Sequence, residues 1–124
     1  MTLQELYSVI GGDYDAAKRI LPMDKLISKF IVRLLSEDSC DRLIKAAAEN
    51  DSKGMFEAAH SMKGVCANLG LLSLSSMASE VAEEFRPGKS RTMSDEALSA
   101  HLESLKEKHA AAMAAIRQFA DEQA

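Results

Sequence analysis

The stretch Ala58-Ala59-His60-Ser61-Met62-Lys63-Gly64 combines the residue types needed for phosphoryl chemistry on a ring nitrogen. A neutral imidazole is a nucleophile, an ammonium beside it can hold anionic oxygens, and a glycine leaves room for a second protein. The stretch reads as helix, which advances about 100° per residue. On that wheel Met55, Ala58, Met62, Val65, Cys66 and Leu69 gather on the side nearly opposite His60. His60 therefore faces outward. Its neighbours three, four and seven positions away are Phe56, Glu57, Lys63, Gly64 and Ala67. Lys63 supplies one positive charge, Gly64 and Ala67 almost no bulk, and Phe56 apolar surface that a protein partner could cover. A surface histidine or an adjacent lysine is ordinary. A glycine in mid-helix costs about 1 kcal/mol relative to alanine, and an exposed position gives no packing reason to keep one. Access to His60 is the physical reason.

The elements that must position this face follow from periodicity and punctuation. Leu3 to Ile10 is a short apolar-periodic segment stopped by Gly11-Gly12, and Asp13 caps a second short helix to about Leu21, where Pro22 interrupts. Both are too short to stand alone and should pack across one end of a larger body. Met23, Ile27, Phe30, Ile31 and Leu34 repeat at helical spacing up to the polar turn Ser36-Glu37-Asp38. Cys40, Leu43, Ile44 and Ala47 form the next stripe, closed by Asn50-Asp51. The histidine helix covers about Ser52 to Leu69, with Gly70 as its C-terminal stop. A further helix runs from about Ser73 to Arg86 on Leu74, Met77, Ala78, Val81 and Phe85. Arg86 to Thr92 is the one clear loop. Ser94 or Asp95 starts the last helix, whose buried stripe is Leu98, Leu102, Leu105, Ala112, Ile116 and Phe119. There is no strand alternation and no repeat. The expectation is an all-α, antiparallel up-and-down four-helix bundle over residues 23–121, with short additional N-terminal helices over 1–22, the whole of 1–124 forming a single domain.

Composition agrees and excludes several functions. The 124 residues suffice for one core, 47% are hydrophobic, and tryptophan is absent. A net charge of −4 gives no basic face for nucleic acid. No apolar run reaches membrane-spanning length, and the start lacks the basic and apolar regions of a signal peptide. A cytoplasmic chain is expected, with Cys40 and Cys66 as buried free thiols rather than a disulfide or metal ligands. His101 and His109 border the last helix's stripe, about 12 Å apart along its axis, too far to share a metal. Asp13, Asp15, Asp38 and Asp41 read as caps and helix-start charges. The seven methionines read as core filling. No apolar stripe is left over for a dimer, so a monomer is expected.

His60-Ser61-Met62-Lys63-Gly64, followed by Asn68-Leu69-Gly70, resembles the signature of histidine-containing phosphotransfer (HPt) domains: His, Lys three residues on, Gly next, and a second Gly six residues further. The resemblance extends over about Lys25 to Gln118, and the Gly11-Gly12 segment is similar to stand-alone bacterial members. Met1 followed directly by structured sequence also favours a free protein. The resemblance implies a four-helix bundle with His60 exposed midway along one helix. It implies that His60 takes a phosphoryl group from a receiver-domain aspartyl-phosphate and passes it to another receiver, with Lys63 holding the phosphoryl oxygens and Gly64 admitting the receiver. The partners would be response-regulator receivers, with a hybrid sensor kinase as a further candidate. Mg²⁺ would belong to the receiver, and this chain would be a stoichiometric carrier rather than an enzyme. It has neither a GxxxxGK[ST] motif nor a kinase glycine loop. Phe56, Glu57 and Ala67 are the candidate docking residues. The alternative is a binding module of the same fold that docks and inhibits a receiver or kinase without carrying phosphate. The accessible His60 argues against it, because a pure binder needs no nucleophile.

Overall fold

The computed structural model describes residues 1–123, among which there is helix and no strand. Seven α-helices follow one another: α1 Leu3–Ile10, α2 Tyr14–Ile20, α3 Asp24–Arg33, α4 Ser39–Ala48, α5 Ser52–Asn68, α6 Leu72–Glu84 and α7 Asp95–Gln123. A 3-10 turn, Leu34–Ser36, joins α3 to α4. Helices α4 to α7 form the bundle. Short connections fold α4 onto α5 and α5 onto α6, while α7 returns past α4 and α6. At 29 residues α7 spans about 44 Å. It is longer than the other three, and α1 and α3 also pack against it, with α2 against α3.

Local chemistry sets most of the boundaries. Thr2 and Glu5 form a reciprocal capping box at the start of α1, and Gly11 ends that helix at φ +66°. Asp13 accepts from the Ala16 N–H at 2.9 Å to start α2, and Asp51 accepts from the Gly54 N–H at 2.9 Å to start α5. Ser94 Oγ accepts from the Ala97 N–H at 3.1 Å at the head of α7. Asp38 departs from expectation. It stands at the cap position of α4 but makes no side-chain cap bond, and pairs with Arg42 instead at 3.0 Å. Glu37, one residue earlier, reaches over it and accepts from the Ser39 N–H at 3.1 Å and its hydroxyl at 2.5 Å.

One apolar core runs through the whole assembly. Leu6, Tyr7, Ile27, Ile31, Leu43, Met62, Leu105 and Ile116 are its most enclosed members, so the short N-terminal helices share the bundle's core. Every expected stripe residue of α7 is buried. Two stripes need correction. Met23 is exposed, because the break at Pro22 leaves it extended (φ −106°, ψ 127°) ahead of a helix that starts at Asp24. On α4, Ala46 is buried while Ile44 and Ala47 are half-buried. Met23 is also the methionine that fills no core gap; the others are buried or half-buried against the core.

The loop after α6 is organised around a charge. Glu84 is buried at 3% exposure and accepts from the Met93 N–H (2.7 Å), the Thr92 N–H (2.8 Å) and the Thr92 hydroxyl (2.8 Å). Lys89 and Arg91 close over it at 3.9 and 3.6 Å. The Met93 N–H first, then the Thr92 donors and the Lys89 charge, hold its carboxyl down at about 2. A buried carboxylate so fully bonded fixes the path of the loop into α7.

Candidate functional site

Helix α5 lies between α4 and α6 and buries Met55, Ala58, Ala59, Met62 and Cys66. The two adjacent alanines bring little bulk to the packed side, which lets neighbouring backbones approach closely. The opposite side is exposed, with His60 at its middle and Lys63 and Gly64 beside it. A Cβ placed on Gly64 would meet nothing within 4 Å, so packing does not demand the glycine. Among the described residues no carboxylate lies within 4.0 Å of the Lys63 ammonium. Glu57 is exposed and turned toward Lys53 at 4.0 Å, and Ala67 is half-buried. Phe56 is half-buried rather than simply exposed: it packs against the core and stacks on the His60 ring, centroids 5.6 Å apart and planes 19° apart.

Both flanks of this face are fastened by groups far away in sequence. Ser75 of α6, buried, donates its hydroxyl to the Lys63 carbonyl at 2.9 Å. At the C-terminal end Gly70 adopts φ +71°, and the N–H groups of Gly70 and Leu71 bond back to the carbonyls of Ala67 (3.1 Å) and Cys66 (2.9 Å). The carbonyls of Leu69 and Gly70 are taken by the N-terminal segment: Tyr7 donates its hydroxyl to Leu69 O at 2.6 Å, and the Asp13 N–H bonds Gly70 O at 2.7 Å. A side chain on Gly70 would collide with the Asp13 carbonyl and the Ala17 backbone. Gly70 therefore ends the helix and also admits the α1–α2 turn. Neither Ser75 nor Tyr7 has a local sequence signal for these contacts, which join residues 12 and 62 apart.

An apolar groove of about 380 Å³ opens beside the same helix, between Ile20, Leu21 and Phe30 on one side and Val65, Asn68 and Leu69 on the other. Arg33 and Glu37 also line it, and the Arg33 guanidinium lies 5.0 Å from the Phe30 ring centre. Asn68 lies one turn beyond Gly64, so the groove continues the exposed face toward the helix end.

The residues set apart by sequence stand elsewhere. His101 is half-buried, with Nε2 2.8 Å from the Met77 carbonyl and Nδ1 3.3 Å from Glu80. His109 is half-buried and burial lowers its pKa. Burial pushes the Cys66 thiol up to about 12 and the Cys40 thiol up to about 11, so neither is a thiolate near neutrality. Among the described residues no three His, Cys, Asp or Glu side chains converge as a metal site, and no helix is long and apolar enough to cross a membrane.

The site is thus a nucleophilic imidazole, an uncommitted ammonium and an empty position, aligned on one face of a fastened helix. No curated protein and no solved structure matches the chain. The Hpt domain family model matches residues 33–119, well over half of the chain, including α4, α5, α6 and most of α7. Members of that family carry phosphoryl groups on histidine in phosphorelays and interact with response-regulator receiver domains. The chain belongs to the Hpt domain family.

Proposed function

We propose that this chain is a phosphocarrier that accepts a phosphoryl group on His60 from the aspartyl-phosphate of one receiver domain and passes it to another. The unprotonated ring nitrogen attacks phosphorus. A nitrogen–phosphorus bond forms as the bond from phosphorus to the acyl oxygen breaks, and the receiver's carboxylate leaves with the electron pair. The other ring nitrogen keeps its proton, and the reverse path delivers the group onward. Lys63 holds the phosphoryl oxygens through its charge, and Gly64 admits the receiver's active site. Mg²⁺ comes with the receiver. Phe56, Glu57 and Ala67 lie at the docking rim, and the groove beside Asn68 extends it. The protein works as a cytoplasmic monomer.

One observation carries this reading: His60 is exposed at the centre of a face on which Gly64 leaves open space and Lys63 has no carboxylate partner among the described residues. The test is transfer from a panel of phosphorylated receivers with Mg²⁺. Wild type should acquire an acid-labile, alkali-stable label, His60→Gln should acquire none with its helix content unchanged, and His101→Gln and His109→Gln should label normally. Label persisting in His60→Gln refutes the assignment. A receiver complex without any label supports the non-phosphorylated binding module instead.

A further inference from the structure

Phe56 and Gly64 stand four residues before and after His60, so they flank it along the helix axis, about 6 Å to either side. Side chains on a helix lean toward its N-terminus, over the residues three and four positions earlier. The imidazole therefore leans over Phe56, and the two rings are nearly parallel, 19° apart at 5.6 Å. This is an offset stack within the range of favourable aromatic pairs. Phe56 is half-buried and packed against the core, so it is the fixed partner and His60 the ring it restrains. Gly64 leaves the space on the other side empty.

We infer that Phe56 is a positioning residue for the phosphoryl acceptor: its ring, stacked with an offset against the His60 imidazole, holds that ring's orientation and stabilises the phosphorylated form. The inference rests on His60 being the acceptor. The nucleophilic lone pair lies in the ring plane, at its edge, so a partner stacked on the face restrains rotation without blocking attack. When phosphorus bonds to one ring nitrogen and the other keeps its proton, the ring becomes a delocalised cation. A cation over an aromatic face within about 6 Å is attracted by the ring's quadrupole, whereas the neutral imidazole gains little. Phosphohistidine is thus favoured over histidine by the stack. Hydrolysis breaks the nitrogen–phosphorus bond and returns the electron pair to the ring, which loses that charge, so the stack must also lengthen the phosphohistidine lifetime.

The effect at an exposed site is about two- to five-fold. The test avoids receivers, so that a docking role of Phe56 does not enter. Wild type, Phe56→Leu and Phe56→Tyr are compared by NMR and by phosphorylation with phosphoramidate. In wild type and Phe56→Tyr the His60 ring protons should be displaced by the neighbouring ring current; in Phe56→Leu they should move to the positions of a solvated histidine. After removal of the donor, the Phe56→Leu phosphohistidine should hydrolyse about two to five times faster, and Phe56→Tyr should restore the wild-type lifetime. Equal lifetimes in wild type and Phe56→Leu, or no rescue by tyrosine, overturn the inference. If wild type forms no phosphohistidine at His60 with either phosphoramidate or phosphorylated receivers, the carrier reading itself fails, a result distinct from a lifetime that does not change.

Discussion

Gly64→Ala separates the needs of the fold from those of the proposed activity. The site is helical and exposed, and a Cβ there would meet nothing within 4 Å. No contact is therefore lost or crowded, and only chain entropy and helix propensity change. Both favour alanine, by about 0.4–1 kcal/mol together. For a chain of this length that raises the melting temperature by about 1.5–4 °C. Two other glycines calibrate the measurement. A Cβ on Gly54 would strike the Asp51 carboxylate that caps α5 and crowd Ala46 at 3.1 Å. There the gain in propensity is offset by a disturbed cap worth about 1 kcal/mol, and Gly54→Ala should yield no net stabilisation. Gly70 sits at φ +71° against the Asp13 carbonyl, so Gly70→Ala should destabilise by well over 1 kcal/mol. Of the three, Gly64→Ala alone should be more stable than wild type.

Its transfer activity should move the other way. A methyl group one turn from His60 stands where the receiver must approach, and a misplacement of 1 Å in a reacting pair costs on the order of 10²-fold. A flexible interface absorbs part of this, so a loss of about tenfold is expected for alanine and more for Gly64→Gln. Urea melts and receiver-transfer rates on the same preparations read the two effects independently. A less stable Gly64→Ala would refute the open geometry. A more stable one with undiminished transfer would refute access as the reason for the glycine.

Lys63→Ala should slow transfer by up to about fivefold, the range of an exposed ion pair, and by more where the docked receiver excludes water, with the melting temperature unchanged; equal rates across several receivers would remove it from the site. Glu84 makes a pH prediction. Its carboxyl is held at about 2 in the fold against 4.5 when free, so the stability it adds is complete above about 4.5 and is lost as pH falls toward 2. Glu84→Gln should lower the melting temperature at pH 7 and flatten the acid limb of a pH–stability profile; an unchanged limb would mean that the loop does not depend on the charge. Tyr7→Phe removes the hydroxyl from Leu69 O and should cost about 1 kcal/mol in denaturant melts; no loss would show that the 2.6 Å bond contributes nothing net.

Residues that act on their immediate neighbours were readable in the sequence, and residues that act across the fold were not. Asp13, Asp51 and Gly70 announce helix ends because their bonds close within a few positions, and the outward direction of His60 follows from helical periodicity alone. Met23 shows where periodicity misleads: it keeps the spacing of the α3 stripe but lies before the helix begins. The Arg86–Thr92 stretch reads as plain loop, since nothing in it reveals that Glu84 will turn back and collect donors eight and nine residues later. Asp38 is the better cap by type, and the structure nevertheless hands the Ser39 donors to Glu37, on the chain that leaves the 3-10 turn. Phe56 was visible as a neighbour of His60, but its spacing could not tell a ring exposed to a partner from one anchored in the core and stacked on the imidazole.

The same division explains why a helix with a weakened middle can present a well-defined site. Gly64 removes side-chain constraint from α5 where precise presentation is needed, and glycine alone would loosen the helix there. The compensating contacts all lie off the exposed face. Ser75 takes the carbonyl of Lys63, the residue next to the glycine. Ala58, Ala59 and Met62 seat the underside against the core, and Tyr7 with Asp13 takes the last carbonyls beyond the helix end. Residues 1–32 lie outside the Hpt match, yet they supply that end clamp and one wall of the groove beside Asn68. The N-terminal helices therefore hold the C-terminal end of α5 in place, through the bonds that Tyr7 and Asp13 donate to the Leu69 and Gly70 carbonyls.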